Sequence, residues 1–92
     1  MNEKDFEAEL KADGYTEITL QNLEPRPGKG PHGHPFAIRG LILSGTFTVA
    51  QNDQTKTYRD GEIFAVADGH LHDEWVGPEG ARVLSGRKFA KA

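Results

Sequence analysis

The sequence predicts a small all-β barrel preceded by one short α-helix. Three observations carry that reading. From Tyr15 onward, apolar and polar residues alternate in short segments, the period of half-buried strands. Turn-forming pairs such as Asp60-Gly61 and Asp68-Gly69 divide those segments at short intervals. Only residues 2–13 carry a helical pattern.

The helix is expected to start at Asn2, whose side chain can cap it, with Glu3 and Asp5 favouring the positive end of the macrodipole. Phe6 and Leu10 lie four apart and share a face. Gly14, after Asp13, supplies the stop. A helix this short is marginal alone, so it must pack on the rest of the chain.

The strands follow in order. Residues 16–20 alternate, with Ile18 and Leu20 on one face. Residues 22–31 are rich in Pro and Gly and read as a loop. Residues 37–43 form a mostly apolar strand that Ser44-Gly45 is expected to break. In 46–49, Phe47 and Val49 share a face. Residues 51–54 read as a hairpin connection leading into 55–58. Strands are expected at 62–66, 71–76 and 81–89, the last two separated by 77–80. Roughly seven or eight short strands at this spacing suit a small barrel or sandwich.

The 92 residues make one domain, 1–92, with the helix at about 2–13 and the barrel at about 16–89. A chain this short buries only about 60–65% of its unfolded surface. It has no cysteine, which excludes disulfides, thiolate metal ligands and thiol redox chemistry. A formal net charge of -3 without a basic tract argues against a nucleic-acid partner. No apolar run approaches the roughly 20 residues that span a bilayer, so no membrane partner is expected. The polar, acidic start is unlike a signal peptide, and a soluble cytoplasmic protein is the expectation. There is no G-x-S-x-G, P-loop or dinucleotide fingerprint, and Gly28-Lys29-Gly30 is too short to cradle phosphate.

All four histidines lie between positions 32 and 72. Side chains alternate along a strand, so His32 and His34 face the same way. By the same parity His70, His72, Glu74 and Val76 share a face, with Asp73 and Trp75 opposite. If the two segments pair, His32, His34 and His72 converge on a metal, with Glu74 the natural carboxylate to join them. An exposed turn is the alternative for Pro31 to Pro35. His70 stands beside the Asp68-Gly69 turn and reads as an exposed or rim residue, a fourth ligand, or a proton shuttle at the cavity mouth. Three imidazoles suit a divalent transition metal, Zn, Fe, Mn, Ni or Cu, and affinity order does not choose among them.

These residues and their glycines resemble the cupin superfamily. Its first motif, G-x5-H-x-H-x3,4-E-x6-G, is matched by His32-Gly33-His34 and by Gly45. Its second, G-x5-P-x-G-x2-H-x3-N, is matched without a gap by Gly61, Gly69 and His72. The resemblance implies a small RmlC-like cupin barrel, a double-stranded β-helix or jelly roll, with metal ligands His32, His34 and His72. The departures are specific. Arg26 stands where the first motif opens with glycine, Ile38 and Arg39 stand where its glutamate belongs, and Ala67 and Val76 replace the proline and asparagine of the second. The family's glutamate therefore does not carry over, which leaves Glu74 or water to complete the ligand set. Arg39 reaches the interior only if a β-bulge reverses its parity; otherwise it is solvated on the outer face.

Three functions follow from such a barrel. A metal in a cavity lined by Phe36, Ile38, Phe47 and Val66 could serve a dioxygenase or an isomerase acting on a small oxygenated molecule, with Glu74 or His70 transferring protons. A non-catalytic module that binds a small ligand, a sugar or an effector, is the alternative, and the missing glutamate favours it. The third is a structural homodimer with a bracing metal, in which Trp75 and the apolar side of the helix supply the contact. Ordinary packing of the helix over the barrel accounts for that apolar side equally well.

Overall fold

The computed structural model describes residues 1–90. Helix α1 (Glu3–Ala12) is followed by β1 (Thr16–Leu23), β2 (Phe36–Gln51), β3 (Gln54–Tyr58), β4 (Ile63–Val66) and β5 (Asp73–Phe89). The helix forms as its sequence dictates. The Asn2 side chain accepts the Asp5 N–H at 2.8 Å, and Gly14 takes a positive φ of 85° just past the last turn. Phe6 and Leu10 are fully buried. Each such burial contributes about 1.5–3 kcal/mol, enough to hold a helix that would not persist alone.

All strands pair antiparallel, in the order β1-β5-β2-β3, with β4 also on β2. The two long strands organise the barrel. β2 pairs β5 along most of its length, while its other edge takes β4 at Ile38–Leu41 and β3 at Phe47–Gln51.

This corrects two expected breaks. Ser44-Gly45 does not end a strand, and 77–80 does not separate two; β2 and β5 run through both as single strands. Each position is instead an irregularity. The β2–β5 register shifts between Ile42 and Ser44 and again between Gly45 and Phe47, and Gly45 and Gly80 take positive φ values of 77° and 76°. The shift reverses side-chain parity. Ile42 lies in the interior before it, and Phe47 and Val49 lie in the interior after it. β5 does the same, with Val76 before and Ala81 and Val83 after. The two glycines are stacked, because a Cβ on Gly45 would collide with the Gly80 carbonyl oxygen. They mark the corner at which both strands reverse the side they turn to the interior.

Two apolar clusters occupy opposite faces. The interior cluster includes Ile42, Phe47, Val49, Phe64, Val66, Val76 and Val83, with Ile38 packed against it. The outer cluster joins Phe6 and Leu10 of the helix to Leu41 and Leu84, with Tyr15 and Ile18 at its border. Gly86 makes room for the helix, since a Cβ there would meet Leu10 Cδ1 at 3.3 Å. Leu20 pairs with Leu84, yet the helix does not reach it and it is 39% exposed. The expected loop at 22–31 also starts later than its composition suggests. β1 extends through Leu23, and Arg26 exchanges two backbone hydrogen bonds with Val76. Among the described residues no helix is long and apolar enough to cross a membrane.

Candidate metal centre

The His32-Gly33-His34 segment is pinned as an extended ribbon beside the start of β5. His32 N–H donates to the His72 carbonyl at 2.9 Å, and His72 N–H donates to the His32 carbonyl at 2.9 Å. Residues directly opposite in an antiparallel pair present their side chains to the same face, and His34 follows by period two. Gly69 N–H donates to the His34 carbonyl at 2.8 Å, fixing the far end of the ribbon. Gly33 permits the approach, with the Gly69 carbonyl oxygen 3.3 Å from where its Cβ would stand. One nitrogen from each of His32, His34 and His72 then lies within 4.8 Å of the others.

Hydrogen bonding assigns the tautomers. His32 Nδ1 lies 3.0 Å from the Gly30 carbonyl oxygen, and His72 Nδ1 lies 3.1 Å from that of His70. A carbonyl only accepts, so both Nδ1 atoms carry a proton, and in the neutral ring this tautomer leaves the lone pair on Nε2. His72 is 1% exposed and its Nε2 has no hydrogen-bond partner. An orphaned buried acceptor costs about 1–3 kcal/mol, which a cation at this position would offset. Burial, together with the neighbouring His72 and His32 rings and Arg87, holds the pKa of His34 below its ordinary value, against the opposing pull of Glu74. Three imidazole nitrogens within 4.8 Å of one another, with Nδ1 of His32 and of His72 engaged by backbone carbonyls, are the donor set a divalent transition metal takes, so the residues fit the ion.

Glu74 stands at the edge of this group, on the face that strand parity expects. Its Oε2 is 3.6 Å from His72 Nε2, and its Oε1 accepts from Arg26 Nη2 at 3.0 Å. Arg26 Nη1 also donates to the Glu74 backbone carbonyl at 3.0 Å. A pocket of about 330 Å³ opens over Glu74, His32 and His34 and is bordered by Lys29 and Pro31. The His34 ring stacks on Phe36 at 4.9 Å with 5° between planes, and the Arg87 guanidinium lies 4.5 Å over the same phenyl ring.

The remaining candidates are placed differently. His70 is not among the converging nitrogens. Its carbonyl orients His72, while its side chain borders a groove beside Gln51 and Asn52, where its Nε2 is buried and unpartnered. Arg39 lies on the outer face because Ile38 and Gly40 point inward. It is not free in solvent there. It donates to Glu9 at 2.9 Å and Asp13 at 3.3 Å and lies 5.5 Å over the Phe6 ring, tying β2 to the helix.

Two contributors were not anticipated. In the sequence Arg26 is only a departure from the motif glycine, and no local signal marks its partner Glu74, 48 residues away. Asp73, on the face opposite His72, accepts the N–H groups of Lys29 at 3.0 Å and of Glu74 at 2.8 Å. Burial would raise its pKa, but backbone N–H groups of Lys29, Glu74 and Gly30 outweigh that and, with His32, hold it below the ordinary carboxylate value. Asp73 thereby anchors the segment whose Gly30 carbonyl orients His32.

Comparison with known proteins agrees with this architecture. A family profile described as the AraC-like ligand binding domain matches residues 17–85. Germin-like protein subfamily T member 2 of Arabidopsis thaliana is 32% identical over 77 residues, covering 74% of this chain and 35% of the plant protein. The chain therefore spans about a third of that curated relative. The crystal structure of a conserved protein of unknown function from Streptococcus pyogenes superposes with a TM-score of 0.69 at 23% identity, covering 82% of this chain and 65% of the other. A cupin-2 domain protein from Shewanella frigidimarina superposes with a TM-score of 0.62 at 22% identity, covering 74% and 65%. With a barrel of this topology and a profile match across most of its length, the chain belongs to the AraC-like ligand-binding domain family of small cupins.

Proposed function

We propose that this barrel binds a divalent transition metal through His32, His34 and His72, with Glu74 as a fourth ligand, and uses it to bind a small oxygenated molecule. The observation that supports this is the orphaned Nε2 of His72, fully buried and turned toward His32 and His34. When bound, the metal would act as a Lewis acid or redox centre toward the oxygen atoms of that molecule.

The chain's own residues supply the rest. The carbonyls of Gly30 and His70 hold His32 and His72 in the metal-binding tautomer. Phe36 flanks His34 and excludes water on that side. Glu74 Oε2, 3.6 Å from His72 Nε2, supports the fourth-ligand reading. Homodimerisation through the face that carries Trp75 belongs to the same proposal; the apolar side of the helix, the other expected contact, is taken up by packing on Leu41 and Leu84.

A second reading, a non-catalytic effector-binding module, is favoured by the ligand-binding-domain profile. Metal analysis of untagged protein, before and after reconstitution, tests the first claim: one ion per chain is expected, and only trace metal in folded protein would sink it. Oxygen consumption and proton exchange with diketones, catechols and hydroxy-ketones separate the enzyme from the binder.

A further inference from the structure

Arg26 engages Glu74 twice, and in a way that divides its carboxylate. Nη1 takes the backbone carbonyl and Nη2 takes Oε1, both at 3.0 Å, while Oε2 is left 3.6 Å from His72 Nε2. The guanidinium comes from a fixed point, because Arg26 exchanges backbone hydrogen bonds with Val76 at 3.3 and 3.0 Å. Both side chains are mostly sheltered, at 27% and 21% exposure. An ordinary exposed ion pair holds a carboxylate loosely, with its two oxygens interchangeable. Here the fork grips main chain and carboxylate of one residue, so turning both oxygens away from Arg26 breaks the Nη2–Oε1 hydrogen bond.

We propose that Arg26 is a positioning residue that restricts Glu74 to one-oxygen ligation and keeps the neighbouring coordination position available to an external anionic ligand. This rests on the metal-binding reading above. A free carboxylate can chelate through both oxygens and cover that position. Arg26 occupies Oε1 and prevents it. Its positive charge also offsets the charge of Glu74, so an incoming oxygen or nitrogen anion meets a cationic site. The ligand class favoured is a small anion that coordinates directly, such as a carboxylate or an enolate.

The test uses untagged protein loaded with Cu(II), azide as the anionic probe, and Arg26→Gln, Arg26→Lys and Glu74→Gln variants. Far-UV circular dichroism and thermal melts verify folding. Wild type is expected to bind one Cu(II) and to show a saturable azide-to-copper charge-transfer band. Arg26→Gln should bind Cu(II) with equal or higher affinity but bind azide at least tenfold more weakly. Arg26→Lys keeps the charge and loses the fork, and should bind azide more weakly than wild type but less weakly than Arg26→Gln. Glu74→Gln should change the Cu(II) paramagnetic resonance spectrum.

Equal azide affinity in wild type and Arg26→Gln overturns the proposal and leaves three-histidine metal binding intact. Wild-type behaviour of Arg26→Lys overturns the positioning role. An unchanged resonance spectrum in Glu74→Gln, the measurement that decides if the Arg26 variants do not fold, removes Glu74 from the metal and the proposal with it. Folded wild type that takes no Cu(II) overturns both this proposal and the metal-binding reading.

Discussion

Asp73 Oδ1 accepts the backbone N–H of Lys29 at 3.0 Å, and through that bond the start of β5 sets the position of a histidine in the preceding ribbon. The connection runs from Asp73 to the 28–30 segment, and from the Gly30 carbonyl to His32 Nδ1 at 3.0 Å. Gly28 belongs to the same device, since a Cβ there would stand 2.5 Å from Asp73 Oδ2. Asp73→Ala and Gly28→Ala should each lower metal affinity by about 10–100-fold, the usual effect of losing a group that orients a ligand. Competition titration against a coloured chelator measures this. Affinities unchanged in both variants would mean that His32 is oriented by its own backbone alone.

Metal should stabilise the fold and acid should release it. An ion present at 100 times its Kd contributes about 2.7 kcal/mol, which for a domain of this size raises Tm by about 10–20 °C. Chelation should reverse the gain. Protons compete with the metal for the His34 nitrogen, so the gain should shrink as pH falls through the lowered pKa of that residue. The metal-free protein follows the same direction. His34 has a lower pKa folded than unfolded, so its contribution is complete above the ordinary histidine value of 6.5 and is lost as pH falls through the folded one. Calorimetry at pH 5 and pH 7.5, with and without metal, checks both signs; a Tm independent of metal at the higher pH would contradict them.

Arg39 should matter for stability and not for metal. Its hydrogen bonds to Glu9 and Asp13 and its place over Phe6 join helix to barrel on the face away from the histidines. The contacts are partly solvent-screened, so Arg39→Ala should cost about 1–2 kcal/mol and lower Tm by about 4–16 °C. Metal affinity should stay within about twofold of wild type. A tenfold loss would show that the helix face communicates with the site.

The legible parts of this fold were those set by local chemistry. Asn2, Phe6, Leu10 and Gly14 specify the helix through a cap, a spacing and a stop, each visible within a few residues. Asn52 and Asp53, with φ of 53° and 59°, make the hairpin turn that their composition suggested. His32, His34 and His72 come together, with Glu74 3.6 Å from His72, because parity is a property of strands and survives folding. Parity failed as a guide where the register shifts, at 42–47 and 77–80 and also between Thr16 and Thr19 of β1, and Gly45 and Gly80 read as strand breakers until their contact is known. Arg26, Asp73 and Arg39 were opaque for a related reason. Each acts through a partner that only the folded sheet brings near, 48, 44 and 30 residues away.

The contact between the two bulges gives the sharpest stability test. Gly45 has φ of 77°, where a side chain costs about 1–2 kcal/mol. Its missing Cβ would also collide with the Gly80 carbonyl and approach Ala81 Cα at 2.9 Å. Backbone on the far side cannot swing away as a flexible side chain would, so overpacking adds about 1–3 kcal/mol. Gly45→Ala should therefore destabilise by about 2–5 kcal/mol, a large part of the stability of a small domain. The contrast is Gly61, which also has a positive φ, of 85°, but open space around its Cβ position. Gly61→Ala should cost only the conformational part, about 1–2 kcal/mol. Urea melts of the two variants separate strain from collision. Equal midpoints would mean that the corner at Gly45 yields, and that the shift in parity between the two halves of β2 does not depend on the close approach of the two glycines.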